Sequence, residues 1–179
     1  PDTTFWGRFP NLVAGFFYIF VAARISQRFL PRLLGRALFL LLLLNPFLLE
    51  FFSLARGYGL SIALMLGSCY YLLRYREEHK SLRLFWALLL ASLAVLANYT
   101  LLNFWFALVA ALLFLGFRVG SRSLVSTAGF SLFFALLLLV VLYEPIRTLV
   151  HIDAFYFGGE EGFFSDTVGS LTRYSLYEP

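Results

Sequence analysis

Charge is what this chain has least of. Asp, Glu, Lys and Arg make up 13% of its 179 residues, against 61% for the hydrophobic types. Soluble domains run at about 25% charged and about 45–50% apolar. So little polar surface cannot cover a globule in water, and a mean hydropathy of +0.83 makes lipid part of the solvent. Cysteine is nearly absent as well: Cys69 stands alone inside an apolar run, which excludes a disulfide within the chain. The common catalytic signatures are missing, with no G-x-S-x-G, no Walker loop, no H-E-x-x-H and no C-x-x-C. No short basic stretch leads into a cleavage site, so no signal peptide is visible. With Pro1 at one end and the polar Tyr177-Glu178-Pro179 at the other, both ends read as cuts, and the chain is expected to be a fragment.

What is present is apolar length. Runs fall at about 11–23, 33–49, 57–73, 84–97, 101–117 and 124–143. Backbone groups in hydrocarbon must bond internally, so the expected fold is an all-α membrane protein of about six transmembrane helices. Several runs are shorter than the ~20 residues a bilayer core needs, and would rely on snorkelling arginines or local thinning. Only Asn98-Tyr99-Thr100 separates the fourth run from the fifth, which predicts a tight hairpin there. That triplet also matches the N-x-[ST] acceptor pattern, but it lies too near the membrane for easy glycosylation and reads as a turn.

The charges give the sidedness. The stretches 24–36, 74–83 and 118–122 hold Arg24, Arg28, Arg32, Arg36, Arg74, Arg76, Lys80, Arg83, Arg118 and Arg122, ten of the fourteen basic residues. Their only acids are Glu77 and Glu78. The positive-inside rule makes these turns cytoplasmic and both ends of the chain extracytoplasmic. A net charge of +4 distributed in this way points to the bilayer and away from nucleic acid. Trp6, Trp86, Trp105, Tyr70, Tyr71 and Tyr75 fall near the expected interfaces, where an aromatic belt is the simplest reading. Residues 1–143 then form the transmembrane region, and 144–179 begin an extracytoplasmic loop with an amphipathic segment around Phe164, Val168 and Leu171.

Few residues invite chemistry. His79 and His151 fall on opposite sides of the membrane, and Gly158-Gly159-Glu160-Glu161-Gly162 reads as a turn before it reads as a metal site. In the tail, His151, Asp153, Asp166 and Arg173 could face an acceptor or simply form a polar interfacial surface. The stretch from Asn45 to Ser61 stands out. Pro46 ends or kinks the second helix. Glu50 and Arg56 follow among Phe, Leu and Ala, and Arg56 directly precedes the third run. A charge at such depth is costly, which favours a functional role; the alternative is a snorkelling arginine paired with Glu50.

Here the sequence resembles a known family. Arg8-Phe9-Pro10 followed by Asn11-Leu12-Val13-Ala14-Gly15 is similar to the R-[LF]-P-x-x-x-[AG]-G segment of GT-C glycosyltransferases, in the branch of protein O-mannosyltransferases and lipid A aminoarabinose transferases. Arg24-Ile25-Ser26-Gln27-Arg28-Phe29 resembles that family's basic cytoplasmic turn. Leu44–Leu49 and Ser53-Leu54-Ala55-Arg56-Gly57-Tyr58 resemble its "SP-apolar" and "S-R-x-A-R-x-Y" passage. Order and spacing agree over residues 8–75; beyond that, only the helix pattern does. The resemblance implies an integral protein of the bacterial inner membrane that transfers a sugar from a polyprenyl-phosphate donor to an acceptor on the extracytoplasmic face. It implies a catalytic carboxylate in a first external loop, which would lie before Pro1; Asp2 is too close to Arg8 to match. It implies that Arg56 binds the donor phosphate, with Glu50 and Tyr58 supporting it. No metal ligand is visible, and a divalent metal requirement is not legible. The rival readings are a polytopic transporter or flippase-like protein without glycosyl transfer, and a lipid-binding scaffold. The crossings look apolar at their centres, with polar groups gathered at the outer surface, which favours surface chemistry over a conduction path.

Overall fold

The structure, a computed structural model, describes residues 3–53 and 57–151. Among these it is all helical: α1 (Thr3–Phe29), α2 (Arg32–Leu43), α3 (Pro46–Ser53), α4 (Tyr58–Glu78), α5 (Ser81–Ala97), α6 (Leu102–Val119) and α7 (Ser121–His151), with a 3-10 turn at Tyr99–Leu101. Three stretches are long and apolar enough to cross a membrane: Phe9–Phe29 in α1, Tyr99–Val119 in the 3-10 turn and α6, and Ser121–Thr148 in α7. The other three expected crossings are not of that kind. α2 has 12 residues and α5 has 17. α4 has 21, but its last turns carry Arg74, Arg76, Glu77 and Glu78. Length and composition thus mark three membrane-spanning helices, as in an integral membrane protein.

Residues up to Leu138 form one compact unit. In it α4 packs along α5, α1 along both α4 and α2, and α5 against α6. The core is small-residue packing around a few aromatics, with Ala63, Ala87, Ala91 and Ala94 fully enclosed. Small residues let helices approach closely, the usual basis of association where burial from water gives no drive. Buried hydroxyls tie the helices together. Ser68 Oγ donates to the Ala87 carbonyl at 2.8 Å, and Trp105 Nε1 donates to Ser92 Oγ at 3.1 Å. The helix centres, expected to be almost purely apolar, hold buried hydroxyls at Ser68 and Ser131, with Ser61, Ser92 and Thr127 buried nearer the helix ends.

Two aromatics expected in an interfacial belt are core residues instead. Trp105 is 4% exposed and lies between α5 and α6; Tyr75 is 2% exposed, and its hydroxyl lies 2.7 Å from Ser123 Oγ at the start of α7. Trp86 is exposed and stacks on Tyr71, as a belt residue would. Residues from Leu139 belong to a second unit, whose described part is the end of α7. There Arg147 lies 3.8 Å from Glu144 and Thr148 Oγ donates to the Glu144 carbonyl at 2.9 Å. The helix continues past the Tyr143–Glu144 boundary expected from the sequence. The proposed amphipathic segment and the acceptor-facing candidates Asp153, Asp166 and Arg173 lie outside the described residues.

Candidate functional site

The two ends of the first unit differ sharply in chemistry. One collects the basic turns. Glu78, at the end of α4, accepts hydrogen bonds from Arg74 and, at 3.1 Å, from Arg83 Nε. Arg28 Nη2 and Lys80 Nζ approach it to 3.7 and 3.8 Å. Arg28 Nε also donates to Glu77 at 3.0 Å. Desolvation pushes the Glu78 carboxyl up, but the hydrogen bonds from Arg83 and Arg74, with their charges, outweigh it and hold the group below the ordinary glutamate range. One acid thus joins α1, α4 and α5. His79 closes α4 in a left-handed conformation at φ 50°, which lets Lys80 start the return toward α5.

The other end is built around the break between α2 and α3, and its cause is Pro46. Proline has no N–H to give the carbonyl of Leu42, four residues back, so α2 stops at Leu43. The Tyr18 hydroxyl from α1 donates to that carbonyl at 3.1 Å. Asn45 then caps α3, its Oδ1 accepting from Leu48 N at 3.4 Å, and Pro46 takes the first helical position, where a missing N–H costs nothing. α3 is anchored by Phe52. Its ring lies 5.2 Å from that of Tyr18 and sits against Gly15 of α1 and Gly59 of α4. A Cβ on Gly59 would come within 2.9 Å of Phe52 Cδ1, so the helix approaches as closely as glycine allows. Ala14, Tyr18 and Ala63 form the buried centre, with Leu42, Leu48 and Phe52 packed on it.

This frame carries the residues expected to bind a donor. Glu50 is exposed on α3. Tyr58 opens α4, partly exposed, its ring 5.6 Å from that of Phe51. Its carbonyl accepts from Ser61 Oγ at 2.8 Å. Gly57 passes so close to α5 that a Cβ there would lie 2.5 Å from the Ala97 carbonyl. Arg56 lies outside the described residues. The structure brings Phe51 and Tyr58 together, next in sequence to Glu50 and to Gly57. Among the described residues, no group of three or more His, Cys, Asp or Glu could hold a metal ion.

No family model, curated protein or solved structure matches the chain. Sequence reasoning missed Tyr18 and Phe52, which hold α3 in place. A signal for Tyr18 was present: a proline four residues after Leu42 leaves a carbonyl that some other donor must satisfy.

Proposed function

We propose that the chain is part of a membrane glycosyltransferase of the GT-C type, which takes a sugar from a polyprenyl-phosphate donor and passes it to an acceptor on the extracytoplasmic face. In this reading α2 makes one crossing and α3 caps its outer end. At 1.5 Å per residue α2 covers only about 18 Å, so this crossing relies on its flanking residues or on local thinning of the bilayer. The chain then crosses six times, with the basic turns cytoplasmic.

The observation that carries the proposal is the passage from Asn45 to Tyr58, a capped short helix anchored at the bundle end opposite the basic turns and bearing Glu50. Arg56, by its similarity to the arginine of the GT-C passage, binds the donor phosphate. A planar guanidinium can bind two phosphate oxygens at once, and it would stabilise the charge left on the departing phosphate. The catalytic carboxylate is expected on a segment before Pro1.

The break between α2 and α3 favours a second reading. Discontinuous helices often mark the substrate sites of transporters, and a flippase-like protein would have one here. Against it, the Leu42 carbonyl and the Leu48 N–H at this break are taken up by Tyr18 and Asn45.

The test is sugar transfer by the full-length protein, comparing wild type, Arg56→Ala and Arg56→Lys at equal folded amounts. A charged hydrogen bond is worth about 1.5–3 kcal/mol, so Arg56→Ala should slow turnover roughly 10- to 150-fold. Arg56→Lys keeps the charge without the fork and should recover part of it. Near-normal transfer by Arg56→Ala would reduce Arg56 to an interfacial residue. Substrate movement without any new glycosidic bond would favour the transporter.

A further inference from the structure

The last turns of α1 and the first half of α2 enclose a cleft of about 460 Å³, lined by Ala23, Ser26, Gln27, Arg32, Arg36 and Phe39 among others. It lies at the basic end, away from α3. We propose that this cleft binds the phosphate headgroup of an anionic phospholipid, with an acyl chain lying over its apolar wall. The inference rests on the membrane association of the helices and not on glycosyl transfer.

Charge is the first argument. Arg32 and Arg36 are one helical turn apart, where like charges repel. Both are exposed, and among the described residues neither forms an ion pair. They also occupy the start of α2, whose positive dipole end adds to their charge, and Pro31 offers no side-chain cap. The contrast lies across α1. A second cleft there is lined by Arg28, Arg76 and Glu77, and Arg28 is already paired with Glu77 at 3.0 Å. That cleft thus holds an acid for one of its arginines, whereas the cleft between α1 and α2 is lined by Arg32 and Arg36 and by no acid.

The wall of the cleft supplies the second argument. Ser26 is 5% exposed, and its Oγ is buried with no hydrogen-bond partner among the described residues. Buried hydroxyls are normally paired, and this one belongs to a residue that lines the cleft together with Arg32 and Arg36. Gly35 brings the helices together here: a Cβ would lie 2.2 Å from the Ser26 carbonyl. Below the arginines the cleft turns apolar at Ala23 and Phe39, and α2 continues outward through the exposed Leu40, Leu41 and Leu44. A cationic mouth above an apolar wall fits a lipid better than a free anion. Basic pockets between helices are a known means of holding anionic headgroups.

The test is native mass spectrometry of the full-length protein in neutral detergent, offered phosphatidylglycerol and phosphatidylcholine in competition. Wild type should retain one phosphatidylglycerol in preference. At about one arginine's attraction each, Arg32→Gln with Arg36→Gln should cut that preference roughly 30-fold. Arg32→Lys with Arg36→Lys should keep most of it. Arg118→Gln with Arg122→Gln removes the same charge from the same end and should leave it intact. Equal loss in that control pair, or full retention in the Arg32/Arg36 glutamine pair, would overturn the proposal. Displacement of the lipid by millimolar inorganic phosphate would also overturn it, making the cleft a free-anion site.

Discussion

Two glycines show how single residues set the helix spacing. A Cβ at Gly35 would meet the backbone carbonyl of Ser26 at 2.2 Å, and backbone cannot swing aside. At Gly129, in α7, a Cβ would meet nothing within 4 Å. Alanine gains up to about 1 kcal/mol over glycine in a helix, while overpacking a close contact costs about 1–3 kcal/mol. The Gly35 clash is with backbone, so its cost falls at the upper end of that range: Gly35→Ala should destabilise the protein by a net ~2 kcal/mol and lower its melting temperature in detergent, while Gly129→Ala should raise it slightly. A stable Gly35→Ala would mean that α1 and α2 are not in contact there. Glu78 is the electrostatic counterpart of Gly35, because it is the one acid that Arg28, Arg74, Lys80 and Arg83 all approach.

Among the elements, the junction of α2 and α3 is the most informative. Pro46 removes one donor, Tyr18 replaces it, and Asn45 and Pro46 start the next helix. A carbonyl left unpaired in the bilayer costs about 1–3 kcal/mol. Tyr18→Phe should lose about that much stability while keeping its ring against Phe52, and Tyr18→Leu should lose more because the ring contact goes too. Both can be followed by thermal unfolding in detergent. A Tyr18→Phe protein as stable as wild type would show that water or lipid serves the Leu42 carbonyl instead. The hairpin at Asn98 needs no such outside partner. Asn98 Oδ1 accepts from Thr100 N at 3.2 Å and from Thr100 Oγ1 at 2.9 Å, so the chain turns on local bonds alone.

For the whole molecule, the strongest regularity is the gathering of the basic turns. Arg28 of α1 pairs with the end of α4, Lys80 and Arg83 approach the same Glu78, and Tyr75 meets Ser123 at the start of α7. Three turns scattered along the sequence thus meet at one end of a bundle. If that end is cytoplasmic, cysteines at Ser81 and Ser121 should be protected from an impermeant thiol reagent in intact cells. A cysteine at Ser170 should be labelled, once Cys69 has been replaced. Labelling at Ser81 and Ser121 with Ser170 silent would invert the topology, and would put Arg56 on the wrong side for a polyprenyl-phosphate donor.

The all-helical class followed from the continuous apolar runs, because hydrocarbon admits only helices or closed barrels and barrel strands alternate. The turn at Asn98 and the interruption at Pro46 were local matters, each written in a few adjacent residues, and the basic end was legible as three separate clusters of arginine. Only the tertiary structure decided which face of each helix turns inward. A helix apolar all round has no polar stripe to mark its buried side. Trp105 and its neighbour Phe106 therefore look alike in sequence, yet Trp105 is enclosed against Ser92 while Phe106 is 59% exposed. The same lack of periodicity hid the Gly35–Ser26 crossing, the fall of Phe52 between Gly15 and Gly59, and the cleft that leaves Arg32 and Arg36 without an acid. Each depends on a neighbour distant in sequence, and that neighbour is known only once the helices have packed.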